Sequence, residues 1–269
     1  MAYKGSGTVG QVPIGVNTTT SATVGTSVDA NFSFVGSSAG SGRFVLVSHS
    51  DNTNTGSDAI VETKAGGTSG GDAWFRSQVV GNGYWSFGTD NSDSSAFVIS
   101  RSTNPGTNNI MHATVSGEIN YPLQPAFSGY VPSALLNKTG DGTVYVIGTD
   151  TLTKIFDQGN DFTTLGVFTA PVTGRYYLEG VINFTGMAGG MGINDSYIFT
   201  SNRNYMAPYS NPNSTRDSSS RYGTCLSCLA DMDVGDTASL RAVISGGGLA
   251  ADIDGSANVL TGFSGYLCC

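Results

Sequence analysis

Catalytic side chains are sparse in this sequence. Its two histidines are His49 and His112, each among polar or strand-forming neighbours. No Ser-His-Asp order is suggested, and no HExxH motif or P-loop lysine occurs, so zinc catalysis and nucleotide binding lack their usual residues. The Gly-x-Ser-x-Gly matches at 36–40 and 67–71 lie in Gly/Ser-rich turns and make no strand-to-helix elbow. A non-enzymatic protein is expected.

Two acidic turns could hold a hard cation. Asp90, Asn91 and Asp93 form one oxygen-rich stretch, and Asp231, Asp233 and Asp236 another. Calcium wants several oxygens at once, so the second group is the candidate metal site, with calcium the one cofactor considered. Neither has DxDxDG spacing, and Asp and Asn are also ordinary turn formers.

All four cysteines lie near the C-terminus: Cys225, Cys228, Cys268 and Cys269. A CxxC with a terminal CC could supply four thiolates to zinc. The stretch CLSCLADM reads as a strand, however, and adjacent cysteines fit poorly into one tetrahedral site. Free thiols acting as small buried hydrophobes are expected.

The segment from Met187 to Gly223 is the candidate ligand-binding region. Tyr205, Tyr209 and Tyr222 stand there among Asn and Ser, with Arg203 and Arg216. Flat rings for stacking and short polar groups for hydrogen bonding suit a saccharide or a bacterial surface protein. The same composition would also serve a polar insertion that solvates a sheet edge against aggregation.

Composition sets the class that must position these groups. There are 38 Gly, and charged residues make up only 12%, about half the usual share. Apolar residues come in short bursts broken by Gly, Ser, Asn, Thr and Asp, with no sustained helical spacing. An all-β chain is expected. The net charge of −8 argues against a nucleic-acid platform, which needs a basic stripe. No apolar run approaches the roughly 18 residues of a membrane span, and the N-terminus lacks the apolar core of a secretory signal.

Three regions follow. Residues 1–30 are polar, with short alternation at Val9, Val12, Ile14 and Val16, and read as an attachment segment or a flexible tail. Residues 31–122 read as a β-rich module, with strands at 32–35, 43–48, 58–63, 73–76, 84–88, 96–100 and 110–115. Gly81-Asn82-Gly83 is its clearest hairpin turn. Tyr121-Pro122-Leu123-Gln124-Pro125 reads as a stiff extended link. Residues 125–269 read as a sandwich, with strands near 126–131, 143–147, 165–169, 175–184, 195–200, 224–230, 237–244 and 258–267.

Four pieces of that last region carry a resemblance. They are Ala126-Phe127-Ser128-Gly129-Tyr130, the stretch FTTLGVFTAPVTGRYY over 162–177, Val234-Gly235-Asp236, and Phe263-Ser264-Gly265-Tyr266-Leu267. Their order and spacing resemble the C1q/TNF-like domain, which implies a jelly-roll head that assembles as a homotrimer. The collagen-like Gly-X-Y repeat of many animal relatives is absent. Upstream, Trp85-Ser86-Phe87-Gly88-Thr89-Asp90-Asn91-Ser92-Asp93 and Phe97-Val98-Ile99-Ser100 are similar to modules of bacteriophage tail fibres. That likeness implies a trimeric β shaft whose thin protomer cores are completed by neighbours. A glycan-cleaving tailspike would need a longer, less finely punctuated β-helix.

Together the resemblances imply a virion appendage, assembled in the host cytoplasm. Its N-terminal segment would bind other virion proteins, and its head would attach to a host-surface glycan or protein. The alternatives are a trimeric capsid decoration protein and a cellular C1q-like lectin or signalling module.

Overall fold

The computed structural model describes Thr55 and residues 58–269. The expected attachment segment, the strands at 32–35 and 43–48 and His49 lie outside the described residues. The chain divides into two compact units between Glu62 and Thr63. The boundary falls inside the expected module of 31–122: its residues from Thr63 onward, with the head, belong to the second unit.

The module is a single antiparallel meander. Strands β1 (Ala73–Val79), β2 (Gly83–Asp90), β3 (Ala96–Ser100), β4 (Asn109–Ala113) and β5 (Ile119–Asn120) pair in sequence order. The expected hairpin forms: Asn82 N–H donates to the Val79 carbonyl at 2.9 Å, and Gly81 takes a φ of 86°. Gly88 has no room for a side chain, since a Cβ there would lie 2.4 Å from the Ala73 carbonyl oxygen. The expected strand at 58–63 does not form, and Ile60 and Val61 are exposed. Nor is the link at 121–125 extended. Gln124 N–H bonds the Tyr121 carbonyl at 3.0 Å, closing a turn that the two prolines allow.

Alternation sorts the meander into two unlike faces. Ser86, Val98 and Ser100 are buried on one side. The other carries a cross-strand row, Phe75–Phe87–Ile99–Met111, with Trp85, Phe97 and Ile119 more than two-fifths exposed. Phe75 and Phe87 stack with centroids 5.3 Å apart. Among the described residues, no second layer covers this row.

The head is a two-sheet sandwich. In chain order its elements are β6 (Ala126–Tyr130), β7 (Leu135–Thr139), β8 (Tyr145–Val146), β9 (Thr153–Asp157), β10 (Val167–Thr169), β11 (Gly174–Thr185), β12 (Ile193–Asn194), β13 (Tyr197–Thr200), β14 (Asn204–Met206), the one-turn helix α1 (Pro212–Thr215), β15 (Tyr222–Met232), β16 (Thr237–Ala242), β17 (Ile244–Ser245), β18 (Ala251–Ile253) and β19 (Gly262–Leu267). One sheet runs β9-β6-β19-β11-β15, with β18 and β7 continuing beyond the end of β11. The facing sheet runs β10-β16-β13-β14, with β8 also on β16. First and last strands adjoin at the centre, and successive strands cross between layers. This is the expected jelly roll.

Its core is aromatic. Phe127 lies 4.4 Å from Phe162 and 4.6 Å from Phe168, and Phe168 lies 5.3 Å from Tyr176 (ring centroids). The buried Tyr176 hydroxyl donates to the Val172 carbonyl at 2.8 Å. Thus FTTLGVFTAPVTGRYY places three of its rings in one cluster.

Candidate functional site

The outer surface of β9-β6-β19-β11-β15 carries an organised apolar face. Adjacent strand residues point to opposite faces, so Tyr176 enters the core while Tyr177 faces outward. Register then builds three outward rows. Ala126, Tyr266, Tyr177 and Leu229 form one; Phe156, Ser128, Ser264, Glu179 and Ser227 the next; Tyr130, Gly262, Val181 and Cys225 the third. Tyr266 is 51% exposed, Leu229 57% and Phe156 49%. The Tyr177 and Tyr266 rings stand 5.5 Å apart.

Glu179 sits in the middle of this face. Three open grooves meet at it. One of about 410 Å³ is walled by Phe156, Tyr177 and Tyr266; one of about 350 Å³ by Met206, Pro208 and Cys225; one of about 180 Å³ by Val181, Val259 and Ser128. The Glu179 carboxylate makes no salt bridge among the described residues.

Sequence reasoning missed this surface, yet a signal was there. In Cys225-Leu226-Ser227-Cys228-Leu229-Ala230 apolar residues occupy both parities. Such a strand has an apolar partner on both faces, as in sheets covered on two sides.

The predicted ligand residues do not converge. Tyr209 is 96% exposed and the Arg203 side chain is exposed. Tyr205, opposite Ile198 in register, packs against the core, and burial pushes its phenol up. Arg216 closes α1 and donates to the Met187 carbonyl. Tyr222 is a core residue: its ring stacks on Phe184, and its hydroxyl accepts from Asn194 Nδ2 at 3.0 Å and pairs with Ser210. Only Arg203 and Tyr209 therefore remain open to a ligand. Burial and these bonds pin the others as parts of the loop's own scaffold.

The expected calcium group also disperses. Asp236 accepts from Asn202 Nδ2 at 2.7 Å and from the Asp233 amide at 2.8 Å, while Asp233 faces Thr173. Asp231 projects outward opposite Arg175. These carboxylates shape the turn between β15 and β16. No group of three metal-ligating side chains occurs among the described residues. In the module, Asp90 is buried and accepts from Ser92 and Asp93 amides, and Asp93 pairs with His112 at 2.9 Å.

The cysteines part company as well. Three positions along a strand reverse the face, so Cys225 points outward and Cys228 inward. Burial pushes the Cys228 thiol up to about 11. Cys268 and Cys269 are exposed, so of the four only Cys228 behaves as the expected small hydrophobe.

The strand order and register define a jelly-roll β-sandwich protein. No protein-family model matches the sequence, and no curated protein matches it. Among solved structures, the chain is similar to the globular domain of zebrafish complement 1qA protein, at 16% identity over 54% of this chain and 98% of that one, TM-score 0.36. It is similar to murine APRIL at 11% identity, covering 54% and 99%, TM-score 0.37. Eiger TNF from S. frugiperda matches at 10% identity, covering 54% and 94%, TM-score 0.37.

Proposed function

We propose that this chain is the subunit of a homotrimeric binding protein that performs no catalysis. The observation that carries this reading is the apolar outer face of β9-β6-β19-β11-β15. Tyr177, Tyr266 and Leu229 lie there in register with Phe156 in the next row, Tyr177 half-buried and the other three exposed in the single chain. Contiguous apolar faces of this kind mark contact surfaces. Copies packed about a common axis would cover it, with Met206 and Pro208 at its edge and the exposed Arg203 and Tyr209 side chains left for a ligand. Three equivalent heads then gain avidity from weak single-site contacts.

The C1q-like binding module is the broader reading. The narrower one is a virion fibre attaching to a host surface, and it draws on the meander of β1–β5. Its Phe75–Phe87–Ile99–Met111 row needs a neighbour just as the head does, which gives the build of a shaft ahead of a head. In that setting residues 1–30 bind the particle.

Sedimentation of the full chain across a dilution series tests the assembly. A trimer that dissociates only at high dilution supports it, and a stable folded monomer overturns it. Deleting residues 1–30 tests the setting: loss of particle incorporation with trimer retained supports the fibre, and unimpaired binding in solution favours the lectin-like module.

A further inference from the structure

We infer that Glu179 makes the assembly proton-dependent, tightening it as pH falls. This rests on the trimer reading above. The carboxylate stands on the central strand of the face that assembly would cover, where three grooves meet.

Its surroundings offer no compensating charge. Tyr177 and Val181 flank it on β11. Ser264 lies across on β19 and Ser227 across on β15, with Ser128 beyond on β6 and Phe156 on β9. From the edge come Met206 and Pro208. Among these neighbours and those diagonal to them, the ionisable side chains are Tyr177, Tyr266 and Cys225, and none is a base or a second carboxylate. The cation of the same strand and face is Arg175, four residues away along β11, or about 13 Å, and directly opposite Asp231.

Covering the face would remove Glu179 from water, leaving it among the rings and aliphatic groups of its own face. Burial disfavours the charged form of a carboxylate. The sign follows: the assembled state binds a proton at Glu179 more readily than the separated chain does, so lowering the pH drives association. Serines in the same row give a protonated carboxyl hydrogen-bond partners.

The test compares the full native chain with Glu179→Gln by sedimentation equilibrium at pH 8 and pH 4.5, at constant salt. The net charge of the chain changes in both, so the ratio of their dissociation constants isolates this one group. The variant is expected to assemble about tenfold more tightly at pH 8, a modest part of the cost of burying a charge, with the ratio falling to about twofold at pH 4.5. A variant that assembles more weakly than the native chain would mean that a cation from a neighbouring copy holds Glu179, and overturns the inference. So does a ratio that ignores pH. If both proteins remain folded monomers throughout, the trimer reading itself has failed and this inference falls with it. Far-UV circular dichroism checks the fold, and Glu179→Ser, matching its neighbours in the row, repeats the comparison if the glutamine variant misfolds.

Discussion

Phe263 lies directly opposite Gly129 across the β19–β6 pair. The reciprocal pair, Phe127 opposite Gly265, sits two positions along. Two copies of Phe-Ser-Gly-Tyr thus run antiparallel about the Ser128–Ser264 pair; the Phe127 ring lies in the space that Gly265 leaves, and Leu152 and Phe162 fill the space beside Gly129. The next strand continues the alternation with Gly180 beside Phe263 and Leu178 beside Gly265. Glycine weakens a strand in general; here it makes room for the core.

Gly129→Ala should therefore destabilise the head. Its Cβ would lie 2.6 Å from Leu152 Cδ2 and 2.8 Å from Phe162 Cε1, and overpacking of this kind costs about 1–3 kcal/mol. Phe263→Ala should cost about 3–5 kcal/mol by leaving a cavity beside the Phe127 and Phe162 rings. Urea denaturation midpoints measure both, and an unchanged midpoint for Gly129→Ala would refute the interlocking.

Leu229→Glu places a charge on the outer apolar face without touching the core. It should release folded monomers, seen as a fall in sedimenting mass with circular dichroism intact. A trimer that survives the change would move the interface elsewhere.

Tyr222→Phe should lower stability by about 1 kcal/mol, since it removes the shorter of two hydrogen bonds from the buried Asn194 Nδ2 and leaves the one to Thr224. Tyr209→Ala should leave the melting temperature within about half a kcal/mol of equivalent stability, as exposed positions do, while Arg203→Ala with Tyr209→Ala should weaken ligand or cell adsorption. Equal stability losses for Tyr222→Phe and Tyr209→Ala would contradict the division between scaffold and free side chains.

Thiol chemistry gives a pH prediction. Burial raises the Cys228 thiol from 9.0 to about 11 in the folded chain. Its contribution to stability is therefore complete below pH 9 and is lost as pH rises from 9 toward 11, because the unfolded chain releases that proton first. At pH 8, maleimide should label Cys268 and Cys269 well before Cys228, read by peptide mass mapping, with Cys225, on the face that assembly covers, labelled readily only in the separated chain. Rapid labelling at Cys228 would place it on the outer face.

Asp236→Ala should cost about 1–2 kcal/mol through the lost Asn202 and Asp233 hydrogen bonds. The loss should be the same in calcium and in EDTA. A midpoint that rises with calcium in the native chain alone would restore a cation to this turn.

The aromatic and glycine spacing of 126–130, 162–177 and 263–267 made the sandwich legible from residues alone, because a strand's period of two is written in composition. Short strands escaped: β9, Thr-Lys-Ile-Phe-Asp, and β18, Ala-Asp-Ile, have too few residues for alternation to stand out. Local pattern therefore determined the all-β class, the hairpin at Gly81-Asn82-Gly83, and which positions could alternate. Only the tertiary structure decided that Tyr222 is core while Tyr209 is free, that Cys225 and Cys228 face apart, and that Glu179 stands among Tyr177, Tyr266 and Phe156. The physical reason is that those facts depend on register between strands distant in sequence, and pairing across the sheet is settled by how both layers pack at once.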